Sequence, residues 1–150
     1  MPKPGKAAQS HRDKHVVDMS KIPPEDRWIP PDPEECEETA DYTMRPSEAP
    51  STERIKVRMV DHVPTSALVD FAIVHETFHK GKWRLVAKAD SSHDDEVHIH
   101  QYSRRTGQQY GGTEQLIPIK AIEDVDAGYY LAYERIVENW AANRARWNDV

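Results

Sequence analysis

Hydrophobic and polar residues alternate with a period of two along much of the chain after residue 54, the pattern of strands with one buried face. Ile55, Val57 and Met59 open the first such run, and Gly81 supplies a turn where a positive φ is expected. Because the connections between runs are short, the strands are expected to pair as an antiparallel meander. The predicted strands cover residues 55 to near 64, 68–78, 83–89, 96–103 and, as a short fifth, 115–119.

The hydrophobic spacing changes to steps of three and four residues near the C-terminus, which is typical of an amphipathic helix. Asp124 is the predicted N-cap, and the helix is expected to continue for roughly 22 residues, about 33 Å. A sheet with one apolar face needs a cover, and this helix is long enough to supply it. The predicted fold is therefore α+β, a four- to five-stranded antiparallel meander covered by one long C-terminal helix.

Four aromatic residues lie along this helix at helical spacing: Tyr129, Tyr133, Trp140 and Trp147. Aromatic residues in this pattern are more often core or dimer surface than a ligand site. Trp147 lies near the chain end, where intramolecular cover is scarce. The sequence therefore favours a core position for these aromatic residues, with a homodimer contact through the C-terminal helix as the alternative, above all at Trp147.

Proline and acidic residues dominate the first third of the chain, and nine of the eleven prolines precede residue 55. Such a segment cannot bury enough apolar surface to offset its ordering entropy. We therefore expect residues 1–54 to form a disordered, Pro-rich acidic arm and residues 55–150 to form the α+β domain.

Within the arm, Ile22-Pro23-Pro24 is nearly repeated as Ile29-Pro30-Pro31, with Trp28 between the two copies. Paired prolines favour an extended polyproline II path. The strip could dock a partner through Trp28, Ile22 and Ile29, fold back on its own domain, or serve only as a solvated linker.

The formal net charge is -6, with 26 acidic and 20 basic side chains. Neither part of the chain is strongly basic, so any contact with nucleic acid must be local. The sequence contains no apolar run of membrane-spanning length and no secretory signal, which makes the cytoplasm the expected location. Cys36 is the only cysteine, so neither an intramolecular disulfide nor a multi-cysteine zinc site is expected.

Residues 83–102 carry the strongest chemical pattern in the chain. Because strand side chains alternate, His98, His100 and Tyr102 share one face while Val97 and Ile99 share the other. The apolar pair is expected to point to the core, which places the histidines on an open, exposed sheet face. Two imidazoles on one strand can divide general acid and base roles or bind one divalent metal.

Strand register decides which residues join the histidines. If Asp90 pairs with His98, Lys88 faces His100, whereas a shift of one residue brings Ala87 and Ala89 there instead. The sequence leaves both registers open. Three interpretations follow. The first is acid–base chemistry on a phosphodiester, in which nearby cations stabilise the added charge of the transition state. The second is a metal bound by His98 and His100, and the third is a solvated face without chemistry. The candidate catalytic residues are Lys88, Asp90, His93, His98, His100 and Tyr102.

The run from Val86 to His93, followed by His98-Ile99-His100, resembles a segment of the TumE-type small toxins of bacterial toxin-antitoxin pairs. The resemblance covers residues 83–102. It implies a small sheet-plus-helix toxin fold and action on RNA, with Asp90, His93, His98 and His100 at the matching positions. The long acidic arm and the long terminal helix are departures from that family.

Two functions are consistent with these observations. The first is a ribonuclease-like toxin domain, encoded by a bacterium, phage or mobile element, that meets RNA or another phosphate-bearing substrate and has a cognate antitoxin-like protein as partner. The second is a non-enzymatic adaptor or phage-accessory protein that docks a partner through its N-terminal arm.

Overall fold

The computed structural model describes residues 28–92 and 95–150, and all structural statements refer to these ranges. Six strands within them form one antiparallel sheet whose spatial order follows the chain order, followed by C-terminal helices. The predicted α+β meander is therefore confirmed. The strands are β1 (Cys36–Met44), β2 (Glu53–His62), β3 (Ala67–His79), β4 (Lys82–Ser92), β5 (Glu96–Gln101) and β6 (Glu114–Pro118).

Strand β1 lies inside the segment predicted to be a disordered arm. It pairs with β2 from Cys36 opposite His62 to Met44 opposite Ile55. The prediction of disorder is thus wrong for residues 36–44, and the sheet has six strands where four or five were expected. Most side chains of this edge strand face solvent, so its sequence resembles a solvated segment although the backbone is paired. The arm prediction for residues 1–27 lies outside the described residues.

The C-terminal region is not one continuous helix. Helix α1 (Ile122–Tyr133) passes into a π-helical turn (Glu134–Glu138), and α2 (Trp140–Asp149) follows after Asn139. Asp124 is not the N-cap, because α1 begins two residues earlier. Its carboxylate instead accepts the backbone N–H groups of Lys120 and Ala121 at 2.8 and 3.0 Å. In the described part of the chain, no helix is both long and apolar enough to span a membrane.

The core lies between one sheet face and these helices, and Gly128 sets how closely α1 approaches. A Cβ at Gly128 would lie 2.4 Å from Val97 Cγ2 and 3.1 Å from Ile117 Cγ2. Glycine therefore lets α1 pack directly on β5 and β6, although glycine weakens a helix by about 1 kcal/mol relative to alanine. The buried apolar residues of this core include Ile55, Phe71, Ile73, Val86, Ala89, Val97, Ile99, Val125, Ala132 and Ile136.

Trp147 is fully buried within the chain, so the prediction that it lacks intramolecular cover is wrong. Its ring meets the His79 ring edge-to-face at 5.3 Å, and the Arg144 guanidinium lies 4.7 Å from the ring centroid. Trp147 also lies beside Arg84 of β4, whose guanidinium is 5.9 Å from the ring centroid. Tyr129 and Tyr133 pack against the core, as their spacing predicts.

Candidate functional site

The register between β4 and β5 brings the predicted residues together. Asp90 lies opposite His98, and Lys88 lies opposite His100. Of the two registers that the sequence left open, the structure has the one that gives the more polar face. Asp90 belongs to β4 itself, because that strand continues to Ser92 and not only to about residue 89 as predicted.

The histidines lie on the sheet face opposite the helices, since Val97 and Ile99 are both in the core. This face is not open at their position. His98 is 1% exposed, His100 7% and Asp90 9%, so the prediction of an exposed histidine face is wrong. The connection from β5 to β6 contributes to the cover, because Gln109 and Thr113 contact His100.

An ionised carboxylate stands between a lysine and an imidazole at this site. Lys88 Nζ lies 3.2 Å from Asp90 Oδ2, and His100 Nε2 lies 3.8 Å from Asp90 Oδ1. Burial opposes ionisation, but the adjacent His100 ring and the Lys88 ammonium outweigh it and lower the pKa of Asp90 to about 2. Asp90 is therefore a fixed negative charge at neutral pH.

The His100 ring is held from both sides. Its Nδ1 lies 3.2 Å from Gln109 Oε1 and 3.4 Å from Thr113 Oγ1, and Gln109 Nε2 donates to that hydroxyl at 2.9 Å. The other ring nitrogen, Nε2, faces Asp90. Such an arrangement fixes the orientation of the ring, as general acid–base chemistry requires.

His98 lies deeper than His100. Its Nδ1 is 3.0 Å from Glu96 Oε1, and its ring centroid is 5.7 Å from that of His100. Each of the two imidazoles therefore has its own carboxylate, Glu96 for His98 and Asp90 for His100. His100 and Lys88 lie nearer to solvent than His98, and a ligand would reach them first.

Tyr102 lies just beyond the end of β5, with its backbone N–H donating to Val86 O at 3.1 Å. Burial, and then the charge of Asp90, raise the pKa of the Tyr102 phenol to about 12. Tyr102 therefore stays protonated near neutral pH and can donate a hydrogen bond. His93, the remaining predicted member of the site, lies outside the described residues.

Asp70 is a further carboxylate of this site that the sequence did not indicate. It pairs with Arg58 at 3.4 Å and accepts a hydrogen bond from Ser91 Oγ at 2.8 Å. Burial raises the pKa of Asp70, and the charge of Asp90 adds to that rise. In the sequence, Asp70 interrupts an otherwise apolar strand. That interruption was the one feature that could have indicated Asp70 as a residue of the site.

Metal binding was one of the three interpretations of the histidine pair. Across residues 28–92 and 95–150, no three His, Cys, Asp or Glu side chains are grouped so that they could hold a metal ion.

A second buried polar group lies on the helix-covered face, and the sequence did not indicate it. Glu53 Oε1 lies 2.9 Å from His75 Nε2, and Glu53 Oε2 accepts a hydrogen bond from Thr77 Oγ1 at 2.6 Å. Arg144 of α2 donates to that hydroxyl at 2.9 Å and lies 3.4 Å from Glu53 Oε2. Because His75 and Glu53 are almost fully buried, we interpret this group as structural, joining β2 and β3 to α2.

The residues predicted to dock a partner differ in their exposure. Trp28 is partly buried and packs against the hydrophobic core, which matches the alternative that the strip folds back on its own domain. Ile29 is 76% exposed, and Ile22 lies outside the described residues.

Comparisons with known proteins identify no relative: no protein-family model, curated protein or solved structure matches this chain. The resemblance to TumE-type toxins therefore rests on the residues of β4 and β5 alone.

Proposed function

We propose that the protein binds and cleaves a phosphate-bearing substrate, RNA above all, at the site formed by Lys88, Asp90, His98 and His100. The observation that carries the proposal is the contact of one ionised carboxylate with both a lysine and an imidazole, at 3.2 and 3.8 Å. Perturbed titratable groups with defined charge partners cluster at functional sites.

The chemistry that suits these groups is attack of an RNA 2′-hydroxyl on the adjacent phosphorus. The O2′–P bond forms while the P–O5′ bond breaks, which leaves a 2′,3′-cyclic phosphate and a 5′-hydroxyl. With Asp90 orienting the ring through Nε2, His100 would take the proton of the 2′-hydroxyl at Nδ1, and this step requires Gln109 and Thr113 to move away from that nitrogen. Lys88 would stabilise the additional negative charge on the phosphoryl oxygens in the transition state.

The leaving 5′-oxygen needs a proton, and two groups stand near enough to be considered. His98 lies beside His100, and Tyr102 remains protonated at neutral pH. Since His98 is more deeply buried than His100, its participation requires the site to open further. Tyr102 is close enough to Asp90 for its pKa to respond to that charge, and we propose it as the donor.

A ribonuclease-like domain of this kind fits a toxin whose activity is restrained by a cognate antitoxin-like protein. That partner, the cytoplasmic location and a phage or mobile-element origin remain predictions. The adaptor hypothesis receives less support, because Trp28 packs against the core and is not fully available to a partner.

The test is incubation of the purified full chain with RNA, followed by identification of the product ends. We expect 2′,3′-cyclic phosphate ends, no cleavage of the matching DNA, and loss of at least about 100-fold in rate in His100→Gln. His62→Gln is the matched control, since His62 is a half-buried histidine of β2 outside the site. Absence of cleavage by the wild-type chain, or equal cleavage by His100→Gln, would refute the proposed reaction.

A further inference from the structure

The end of the β3–β4 hairpin is rich in cations, although the chain as a whole is acidic. The turn between the two strands is Lys80-Gly81, with φ of 50° and 83°. Arg104 and Arg144 come from other parts of the chain but lie at the same end of the sheet. We call the following residues, which surround His79, the hairpin cation cluster: Lys80, Lys82, Arg84, Arg104 and Arg144.

Contacts with Trp147 and the backbone hold the arginines of this cluster in place. The guanidinium groups of Arg84 and Arg144 lie 5.9 and 4.7 Å from the Trp147 ring centroid. Arg84 also donates to the backbone carbonyl of Arg104 at 2.8 Å. Pre-positioned guanidinium groups lose less conformational entropy when they bind an anion.

The charge of the cluster is largely uncompensated. Arg144 lies 3.4 Å from Glu53 Oε2, but that carboxylate also interacts with His75. Within the described ranges, no carboxylate lies at ion-pair distance from the other four members of the cluster. Burial, and then the charges of Lys80 and Arg144, lower the pKa of His79, as expected in a positive field.

Aromatic side chains occupy the opposite face of the same hairpin. Phe78 is exposed and meets Trp83 edge-to-face at 5.4 Å. The guanidinium of Arg54 lies 4.0 Å from the Trp83 ring centroid, and Arg45 joins these two residues in lining a shallow groove. Arg54 is also paired with Glu76 at 2.8 Å, so the hairpin presents cations on one side and mainly an aromatic surface on the other.

We propose that the end of the β3–β4 hairpin binds single-stranded nucleic acid, with phosphates at the hairpin cation cluster and a base stacked on Phe78. Cations that follow the backbone beside an aromatic platform are the usual basis of single-strand binding without sequence preference. An acidic polypeptide would also be attracted by the cations, but it would not use the stacking surface. This surface is separate from the histidine site, and its binding role does not require cleavage.

The experiment is fluorescence-anisotropy titration of the full chain against a labelled oligodeoxythymidine of about 20 residues in low salt. Lys80→Asp/Lys82→Glu reverses two charges and keeps an Asp-Gly sequence that suits the turn. We expect this variant to bind at least about tenfold more weakly and to lose part of the salt dependence. Phe78→Ala should bind about fivefold more weakly with the salt dependence unchanged.

The matched control is Lys56→Glu/Lys120→Glu, which makes the same change in net charge at exposed positions away from the hairpin. It should change the affinity by no more than about twofold. Absence of binding by the wild-type chain, equal losses in the two double variants, or equally tight binding of polyglutamate would each overturn the inference. Since the deoxy probe lacks the 2′-hydroxyl that the proposed cleavage needs, failure of the cleavage reaction and failure of this inference give different results.

Discussion

Lys88 Nζ lies 3.2 Å from Asp90 Oδ2, two residues away on the same face of β4. The contact places a lysine beside a carboxylate that is also 3.8 Å from His100 Nε2. Because the three groups come from paired residues of two adjacent strands, the β4–β5 register fixes their spacing. These three groups therefore lie on paired strands and not on a loop.

Asp90→Asn should change how the free energy of unfolding depends on pH in the acidic range. The pKa of Asp90 is lowered to about 2 from an ordinary 3.8, so its contribution to stability is present above pH 3.8 and is lost as the pH falls toward 2. That contribution is on the order of 2 kcal/mol. Urea unfolding across this interval should show a weaker pH dependence in Asp90→Asn than in the wild-type chain.

The control for this measurement is Asp126→Asn, which removes an exposed carboxylate from α1. In this control variant, the free energy of unfolding should still fall as Asp90 becomes protonated. If Asp90→Asn and the wild-type chain lost stability in parallel, Asp90 would not be held ionised by its neighbours.

His75→Gln should change stability in a higher pH range. Burial lowers the pKa of His75 from its ordinary 6.5, and the charge of Glu53 only partly offsets this. The unfolded chain therefore binds a proton more readily, and stability falls as the pH falls from 6.5 toward the lower folded value. Glutamine can still donate to Glu53 but does not titrate, so His75→Gln should lose less stability over this range.

Urea unfolding at about pH 7.5 and pH 5.5 measures the difference. His62→Gln, which alters a histidine outside this buried group, should retain the decline seen in the wild-type chain. An identical decline in His75→Gln would mean that other groups account for it.

Gly128→Ala should destabilise the protein although alanine favours helix. The added methyl group would meet Val97 Cγ2 at 2.4 Å, and valine has little rotamer freedom to move away. We expect a loss of about 1–3 kcal/mol in the free energy of unfolding, which exceeds the gain of about 1 kcal/mol in helix propensity.

A double-mutant cycle with Val97→Ala tests the cause of this loss. If the clash is responsible, adding Gly128→Ala to Val97→Ala should cost much less than adding it to the wild-type chain. A neutral or stabilising effect of Gly128→Ala alone would contradict the close approach of α1 to β5.

Trp147→Ala should be strongly destabilising, by about 3–5 kcal/mol, because the side chain is fully buried. Trp140→Ala is the comparison. Trp140 is only half-buried and donates from Nε1 to Ser47 O at 3.2 Å, so its loss should cost less. Thermal unfolding ranks the two variants, and a smaller cost for Trp147→Ala would contradict its place in the core.

Alternation and helical spacing were sufficient to predict most of the fold. The runs that begin at Ile55 and continue to Ile119 became β2 to β6, with ends shifted by a few residues. The pattern failed for β1, because an edge strand with mostly solvent-facing side chains has no apolar alternation to detect. It also failed at Asn139, where the break between α1 and α2 leaves the hydrophobic spacing nearly unchanged.

The site could be predicted in part. Alternation placed His98 and His100 on one face and Val97 on the other, but register and cover depend on tertiary structure. Burial of His98 depends on elements beyond its own strand, which no local pattern reveals. Glu53 and His75 were missed for the same reason, since each becomes a partner only when β2 pairs with β3.

The central claim is that a phosphate-bearing ligand meets Lys88 and His100, and titration of a uridine 3′-monophosphate into the ¹⁵N-labelled full chain tests it most directly. We expect the imidazole signals of His100 to shift saturably, those of His62 to remain unchanged, and Lys88→Gln to weaken binding by about tenfold. Absence of any change at His100, or an equal response in Lys88→Gln, would contradict the claim.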